Sequence, residues 1–200
     1  MARAFVDITF TDSVLAAQAR YASRAHNERF EMSADKRNTL TAMDAEFIAS
    51  RDSFYQASVG ENGWPYVQHR GGAAGFLKML DERTVGYADF RGNRQYISVG
   101  NINADERVCL FLMDYVNRRR LKIWARADVI HENDNSALFA QLIDSGSGAM
   151  VERAVVILEW NCSKHITQRF TEAEINQLLM PIMAENEQLK AKLTHYEPKL

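Results

Sequence analysis

The chain has 200 residues, 46% hydrophobic and 25% charged, with a formal net charge of −2. That balance suits a soluble globular protein with a substantial core, and it gives no electrostatic reason to expect nucleic acid. No apolar run reaches the length of a membrane span, the first ten residues lack a signal-peptide core, and two cysteines make no disulfide framework, so a cytoplasmic location is expected.

Asp12 or Ser13 is placed to cap a helix running to about Phe30, with Val14, Leu15, Ala19 and Ala22 on one buried face. Thr41 to Asp44 reads as a capping box opening a short helix, with Phe47 and Ile48 inward. Ser53 to Val59 and Trp64 to Arg70 form a hairpin around Asn62-Gly63, residues that tolerate positive φ. Further strands are expected at Phe76–Leu80 and Thr84–Asp89. Asn93 can cap a helix from Arg94 to about Gly100, although Tyr96, Ile97 and Val99 suit a strand equally well. Val108 to Met113 has almost no polar break, as expected for a strand buried on both faces within Arg107–Asp114. From Arg119 to Ile130 the chain alternates, with Leu121, Ile123, Ala125, Ala127 and Val129 on one side and Lys122, Trp124, Arg126 and Asp128 on the other. A helix over Ala137–Ile143, a flexible Ser145–Gly148 connection and a last strand over Arg153–Trp160 complete the domain. A second capping box, Thr171 to Glu174, opens a C-terminal helix that Pro181 should kink or restart. Its seam reads Ile175, Leu179, Ile182, Asn186, Leu189, Leu193, and it packs either on its own domain or against a second chain. The expected fold is mainly β: a small, closed or partly closed antiparallel barrel over 51–170, with helical extensions over 1–50 and 171–200.

Two corners carry the chemistry. Val67 to Gly72 and Asp89 to Gln95 each join a cationic side chain to glycine at a strand end, where the backbone can turn and expose N–H groups. Together they suit a phosphate and the hydrogen-bonding edge of a planar ring. The plainer readings are a solvated arginine in a turn for Arg70 and an ordinary helix cap for Asn93. Asp89 either accepts a bond from a ligand or pairs with Arg91 or Arg94. In Arg118-Arg119-Arg120, strand alternation sends Arg119 to the other side from its neighbours, so only part of the run can face one phosphate. His69 and His165 are acid–base candidates whose bland reading is a backbone hydrogen bond, and no metal site is expected. Cys109 reads as core, Cys162 as the more exposed thiol.

The stretch GWPYVQHRGGAAGFLKMLDERTVGYADFRGNRQYISVGN, from Gly63 to Asn101, resembles the FMN-binding split β-barrels related to pyridoxamine 5′-phosphate oxidase. LFLMDYVNRRRLKIWARA and WNCSKHI fit the same likeness, in particular to a bacterial subgroup of flavin-nucleotide-binding proteins. The resemblance implies a Greek-key-type split barrel and a homodimer with two FMN sites at its interface, each built from both chains. Asn93-Arg94-Gln95 stands where the oxidase has a Ser-Arg-Lys triplet that opens a helix and binds the FMN phosphate. Arg94 keeps the charge; Gln95 is neutral, so Arg70, with Lys78 behind it, is implied to meet the remainder. Gln68 and His69 would contact the ring edge, with Asp89 beside them. The partner chain would add Asn117, Arg118, Arg119 and Lys122, while Trp160 and Arg169 would approach from the C-terminal end. The oxidase's substrate-phosphate segment has no counterpart after Phe139, which is succeeded by Ala140-Gln141-Leu142. The implied function is an FMN-dependent oxidoreductase acting on a small molecule other than pyridoxamine phosphate. A non-catalytic flavin carrier and a haem-binding split barrel are the competing readings.

Overall fold

The computed structural model describes residues 4–34, 38–143, 151–158 and 168–194. The chain divides into two compact units, Met1–Asp114 with Arg119–Lys164, and Tyr115–Arg118 with His165–Leu200. In the first unit, helices α1 (Ala4–Thr9), α2 (Asp12–Arg20), α3 (Arg24–Glu31) and α4 (Ala42–Ala49) precede strands β1 (Ser53–Val59), β2 (Pro65–Gly71), β3 (Lys78–Met79) and β4 (Thr84–Phe90). Helix α5 (Ile97–Ala104) leads to β5 (Arg107–Asp114) and β6 (Arg119–Ile130), then α6 (Ser136–Leu142) and β7 (Val151–Leu158). The second unit holds α7 (Glu172–Thr194).

All ladders are antiparallel, in the order β2-β1-β5-β6-β7-β4-β3. β6 is the longest strand and serves two partners, pairing β5 through Arg119–Arg126 and β7 through Ala127–Ile130. Among the described residues β2 pairs only with β1 and β3 only with β4, so the backbone ladder does not close into a barrel. Helices also hold more described residues than strands, which makes the fold mixed α and β rather than mainly β.

What brings the sheet's distant strands together is its interior. Phe54 on β1 stacks on Phe76 at 5.5 Å and meets Tyr87 on β4 edge-on at 5.3 Å. The Tyr87 hydroxyl donates to Gln56 Oε1 on β1 at 2.6 Å. Three strands separate β1 from β4 in the sheet, so these contacts cross the inside of a curled surface. Leu110, Leu112, Leu121 and Ile123 fill the same core. Burial of these aromatic and branched side chains is the main stabilising term.

Several boundaries differ from those read off the pattern. The long first helix is broken at Tyr21–Ser23, where Ala22 takes a left-handed φ of 53°. That break removes the continuous face: Val14, Ala19 and Ala22 are exposed, and the buried residue of α2 is Gln18. Burial on both faces belongs to β4, where Val85 through Asp89 are all buried, whereas β5 alternates buried with half-buried positions. The extra cover on β4 comes from α6, which lies against it. The Thr41–Asp44 capping box is present, and α7 runs through Pro181 without restarting. Trp160, Cys162 and His165 lie outside the described residues.

Candidate functional site

Strand alternation sorts the first corner. Tyr66, Gln68 and Arg70 share the inner side of β2, opposite Ser58, Gln56 and Phe54 of β1, while Val67 and His69 point outward. His69 therefore packs against Tyr55, ring centroids 5.5 Å apart, and does not join Gln68 and Arg70. Arg70 donates through Nη1 to Asp89 Oδ1, a bond across the curl from β2 to β4. The two side chains are 12% and 4% exposed, and the guanidinium also sits 5.6 Å from the centre of the Tyr87 ring. Burial pushes the Tyr87 phenol well above its ordinary pKa, with the nearby Arg70 charge opposing the shift. The phenol thus stays protonated and remains a donor to Gln56. Arg70 Nε is buried and has no hydrogen-bond partner.

The second corner begins at an irregularity. The β4–β7 register shifts between Asp89 and Phe90, and such bulges bend a strand and re-aim the chain beyond it. Past the bulge, Gly92, Arg94 and Tyr96 take φ of 52°, 62° and 52°, alternating with residues of negative φ. Alternation of this kind turns successive backbone N–H groups toward one side. Glycine adopts φ near 50° at little cost, but for arginine and tyrosine it is strained by about 1–2 kcal/mol each. Asn93 does not cap a helix. Its Oδ1 accepts from Gln95 N–H at 3.1 Å, an Asx turn, and α5 starts three residues later than the pattern implied. Tyr96 occupies the cap position, and its side chain makes no capping hydrogen bond to the first turn of α5. Ser98 Oγ donates to Gln68 Oε1 at 2.6 Å and Asn101 Nδ2 to Ser58 Oγ at 3.0 Å, which ties α5 to β2 and β1.

Between the corners lies a polar recess of about 50 Å³, lined by Gln68, Arg70, Asp89, Arg94, Gln95 and Ser98 among others. The charge of Arg70 is met by Asp89. Arg94 is exposed, and its guanidinium has no hydrogen bond or ion pair among the described residues.

The remaining sequence-derived candidates lie elsewhere. Lys78 Nζ bonds to the Gln141 carbonyl of α6 at 2.9 Å, so it caps a helix end and does not back Arg70. Arg119 is held by Asp114 Oδ2 at 2.9 Å and lies over Phe47. Lys122 sits on the outer face of β6 over Phe111 and Trp124, at 5.5 and 5.8 Å. Asn117 and Arg118 belong to the short turn of the second unit, where Arg169 lies 5.2 Å over the Tyr115 ring. Cys109 is not core as its apolar strand suggested: it alternates to the half-buried side of β5, where partial burial still raises its thiol pKa. The residues that sequence reasoning missed are Ser98 and Tyr96. A serine two places inside a helix and a left-handed tyrosine carry no local signal.

These features define an α+β domain on one curled antiparallel sheet, with a polar recess at the end of β4. The chain belongs to the pyridoxamine 5′-phosphate oxidase family, which it matches over residues 40–165, a span that includes the whole recess. No curated protein matches. Among solved structures, a candidate pyridoxamine 5′-phosphate oxidase of Lactobacillus delbrueckii is 24% identical, over 62% of this chain and 93% of that one, with a TM-score of 0.45. HupZ of Group A Streptococcus is 15% identical, over 66% and 99%, with a TM-score of 0.49. An FMN-binding protein of Syntrophomonas wolfei is 14% identical, over 62% and 90%, with a TM-score of 0.45. Among the described residues no helix is long and apolar enough to cross a membrane, and no group of three His, Cys, Asp or Glu could hold a metal ion.

Proposed function

We propose that the chain binds FMN with its phosphate at the recess beside Arg94, and acts as an FMN-dependent oxidoreductase on a small molecule other than pyridoxamine phosphate. The observation that carries this reading is Arg94 itself: strained, exposed, without a carboxylate partner among the described residues, and beside the start of α5. Strain of that kind persists where the surrounding structure requires a side chain to point somewhere in particular. Helix N-termini and guanidinium groups are both ready receivers of phosphate. The orphaned Arg70 Nε and the amide of Gln68 give the recess further polar groups of the kind a ribityl chain or ring edge can use.

Size supports a shared site. A pocket for a tricyclic ligand usually measures about 300–1,000 Å³, against about 50 Å³ here. The recess suits a phosphate, and the ring needs further walls. A homodimer would supply them, with Lys122 and the Asn117–Arg118 turn of the second chain as contributors. When bound, flavin supplies a two-electron acceptor; the residues of this chain hold its phosphate, orient it and keep Tyr87 neutral behind it. The segment after Phe139 supports a different substrate from the oxidase's. Helix α6 contains no basic residue, so it offers no cation of its own to a substrate phosphate.

The test is an FMN titration of the wild type and of Arg94→Ala. Losing one charge-assisted bond should weaken binding by about 1.5–3 kcal/mol; equal affinities would remove the phosphate assignment. Bleaching of the bound flavin by NADH or NADPH would favour turnover over carriage. Sedimentation showing a flavin-saturated monomer would overturn the shared site.

A further inference from the structure

Helix α7 is 23 residues long and is firmly started: Thr171 Oγ1 and N–H both reach Glu174 Oε2, at 2.8 and 2.7 Å. Its apolar residues recur at alternating steps of four and three, through Ile175, Leu179, Ile182, Asn186, Leu189 and Leu193. Steps of four and three are the a/d spacing of a coiled-coil seam, and over so short a span they also fit one face of a helix packed on a globular core; exposure and the polar seam position decide between the two. Ile175, Leu179, Ile182, Leu189 and Leu193 are 43–66% exposed. A stripe of this length left open marks an interaction surface.

We propose that α7 pairs with α7 of a second copy of this chain, as a parallel, in-register coiled coil. Leu179, Asn186 and Leu193 take the a positions and Ile175, Ile182 and Leu189 the d positions. Two features choose this occupant. A lone Asn at a is satisfied when it meets its own equivalent, which the parallel in-register pair provides; other registers bury the amide against leucine or isoleucine. In that pair a g residue also lies opposite the e residue five places on in the other helix. Glu185 at g then faces Lys190 of the second copy, twice by symmetry, and Leu178 faces Met183, both exposed in the single chain. Within one chain Lys190 reaches Glu187 at 3.0 Å, an exposed pair of little energetic weight that does not oppose the exchange. Pro181 falls at c, and the carbonyl it leaves without an intrahelical donor, on Gln177, falls at f. Both lie away from the seam, so the proline does not interrupt it. The pairing does not depend on flavin binding.

The experiment uses the full chain with single substitutions Leu193→Cys, Asn186→Cys and Ala184→Cys under mild oxidation. Peptide mass spectrometry separates new cross-links from any made by Cys109 or Cys162. In a parallel pair, positions 193 and 186 each meet their equivalents, whereas position 184 at f faces outward. Leu193→Cys and Asn186→Cys should each cross-link to themselves roughly tenfold or more faster than Ala184→Cys, because pairing raises the local concentration only at the seam. An antiparallel pair would separate the two 193 positions, so cross-linking at 186 without 193 overturns the parallel arrangement. Equal rates at all three positions, or no cross-link at 193 and 186, overturns the pairing. If sedimentation shows a dimer in the latter case, the domains associate elsewhere and the failure is specific to α7.

Discussion

The Arg70–Asp89 pair gives the sharpest test of how the curled sheet is held. It joins β2 to β4, strands with four others between them, at the point where the backbone ladder leaves an open edge. Replacing Asp89 by alanine leaves a guanidinium that is only 12% exposed without its carboxylate. Removing one member of a buried pair costs about 3–5 kcal/mol, because the survivor stays desolvated; an exposed pair is worth about 0–1 kcal/mol. The exposures place this pair near the buried limit, and the adjoining recess lets some water reach Arg70, so about 3 kcal/mol is expected. Urea unfolding of Asp89→Ala, Arg70→Met and the double variant measures it. The double variant should lose clearly less than the sum of the singles, since it leaves no orphaned charge. A loss below about 1 kcal/mol for Asp89→Ala, or strict additivity, would mean that the pair is solvated and holds nothing together.

Two further predictions concern the same core. With the Tyr87 phenol pushed up by burial, the unfolded chain releases that proton near the ordinary tyrosine value while the folded chain keeps it. Its contribution is therefore complete below about pH 10 and falls as pH rises beyond, by up to about 1.4 kcal/mol per unit; Tyr87→Phe should flatten that limb, and identical alkaline slopes in urea titrations would refute the assignment. A Cβ built at Gly72 would lie 2.7 Å from Phe76 Cγ, against a ring fixed by its stack on Phe54. Gly72→Ala should cost about 1–3 kcal/mol, whereas Gly100→Ala, in open space within α5, should gain about 0.5–1 kcal/mol; the reverse order in denaturant midpoints would refute the packing argument.

What could be read from the sequence was whatever a local physical rule fixes. β1 and β5 have the limits their hydrophobic runs imply, and β6 alternates as its pattern does. Both Thr capping boxes formed, because the hydroxyl and the carboxylate three residues on need no tertiary help. Facing across the curl escaped the pattern. Arg70 finds Asp89 nineteen residues away, a partner that spacing does not name, and its strand parity sends His69 to the outside. The start of α5 was misplaced because Asn93 makes its turn bond locally, which competes with capping a helix. Left-handed Arg94 and Tyr96 were invisible for a related reason: strain at non-glycine residues is imposed from outside the segment.

The charges around the recess constrain how a phosphate would be held there. A phosphate monoester carries about −1.5 to −2 at neutral pH. Arg70 is already neutralised by Asp89, Arg91 is engaged, and Gln95 carries no charge, which leaves Arg94 as the cation beside the recess with no carboxylate partner among the described residues. One guanidinium and a helix start equivalent to about half a charge leave the ligand under-compensated by this chain alone. Either the second chain brings a cation, or Arg70 turns from Asp89 to the ligand. Asp89→Asn separates these cases, since it keeps the size of the side chain while releasing the positive charge of Arg70. If Arg70 is drawn to the phosphate, the substitution should tighten FMN binding by about 1 kcal/mol or more, as it removes the competing carboxylate. If the second chain supplies the charge, affinity should stay the same and Lys122→Ala should weaken it instead. FMN affinity indifferent to both substitutions would mean that the phosphate lies somewhere other than this recess.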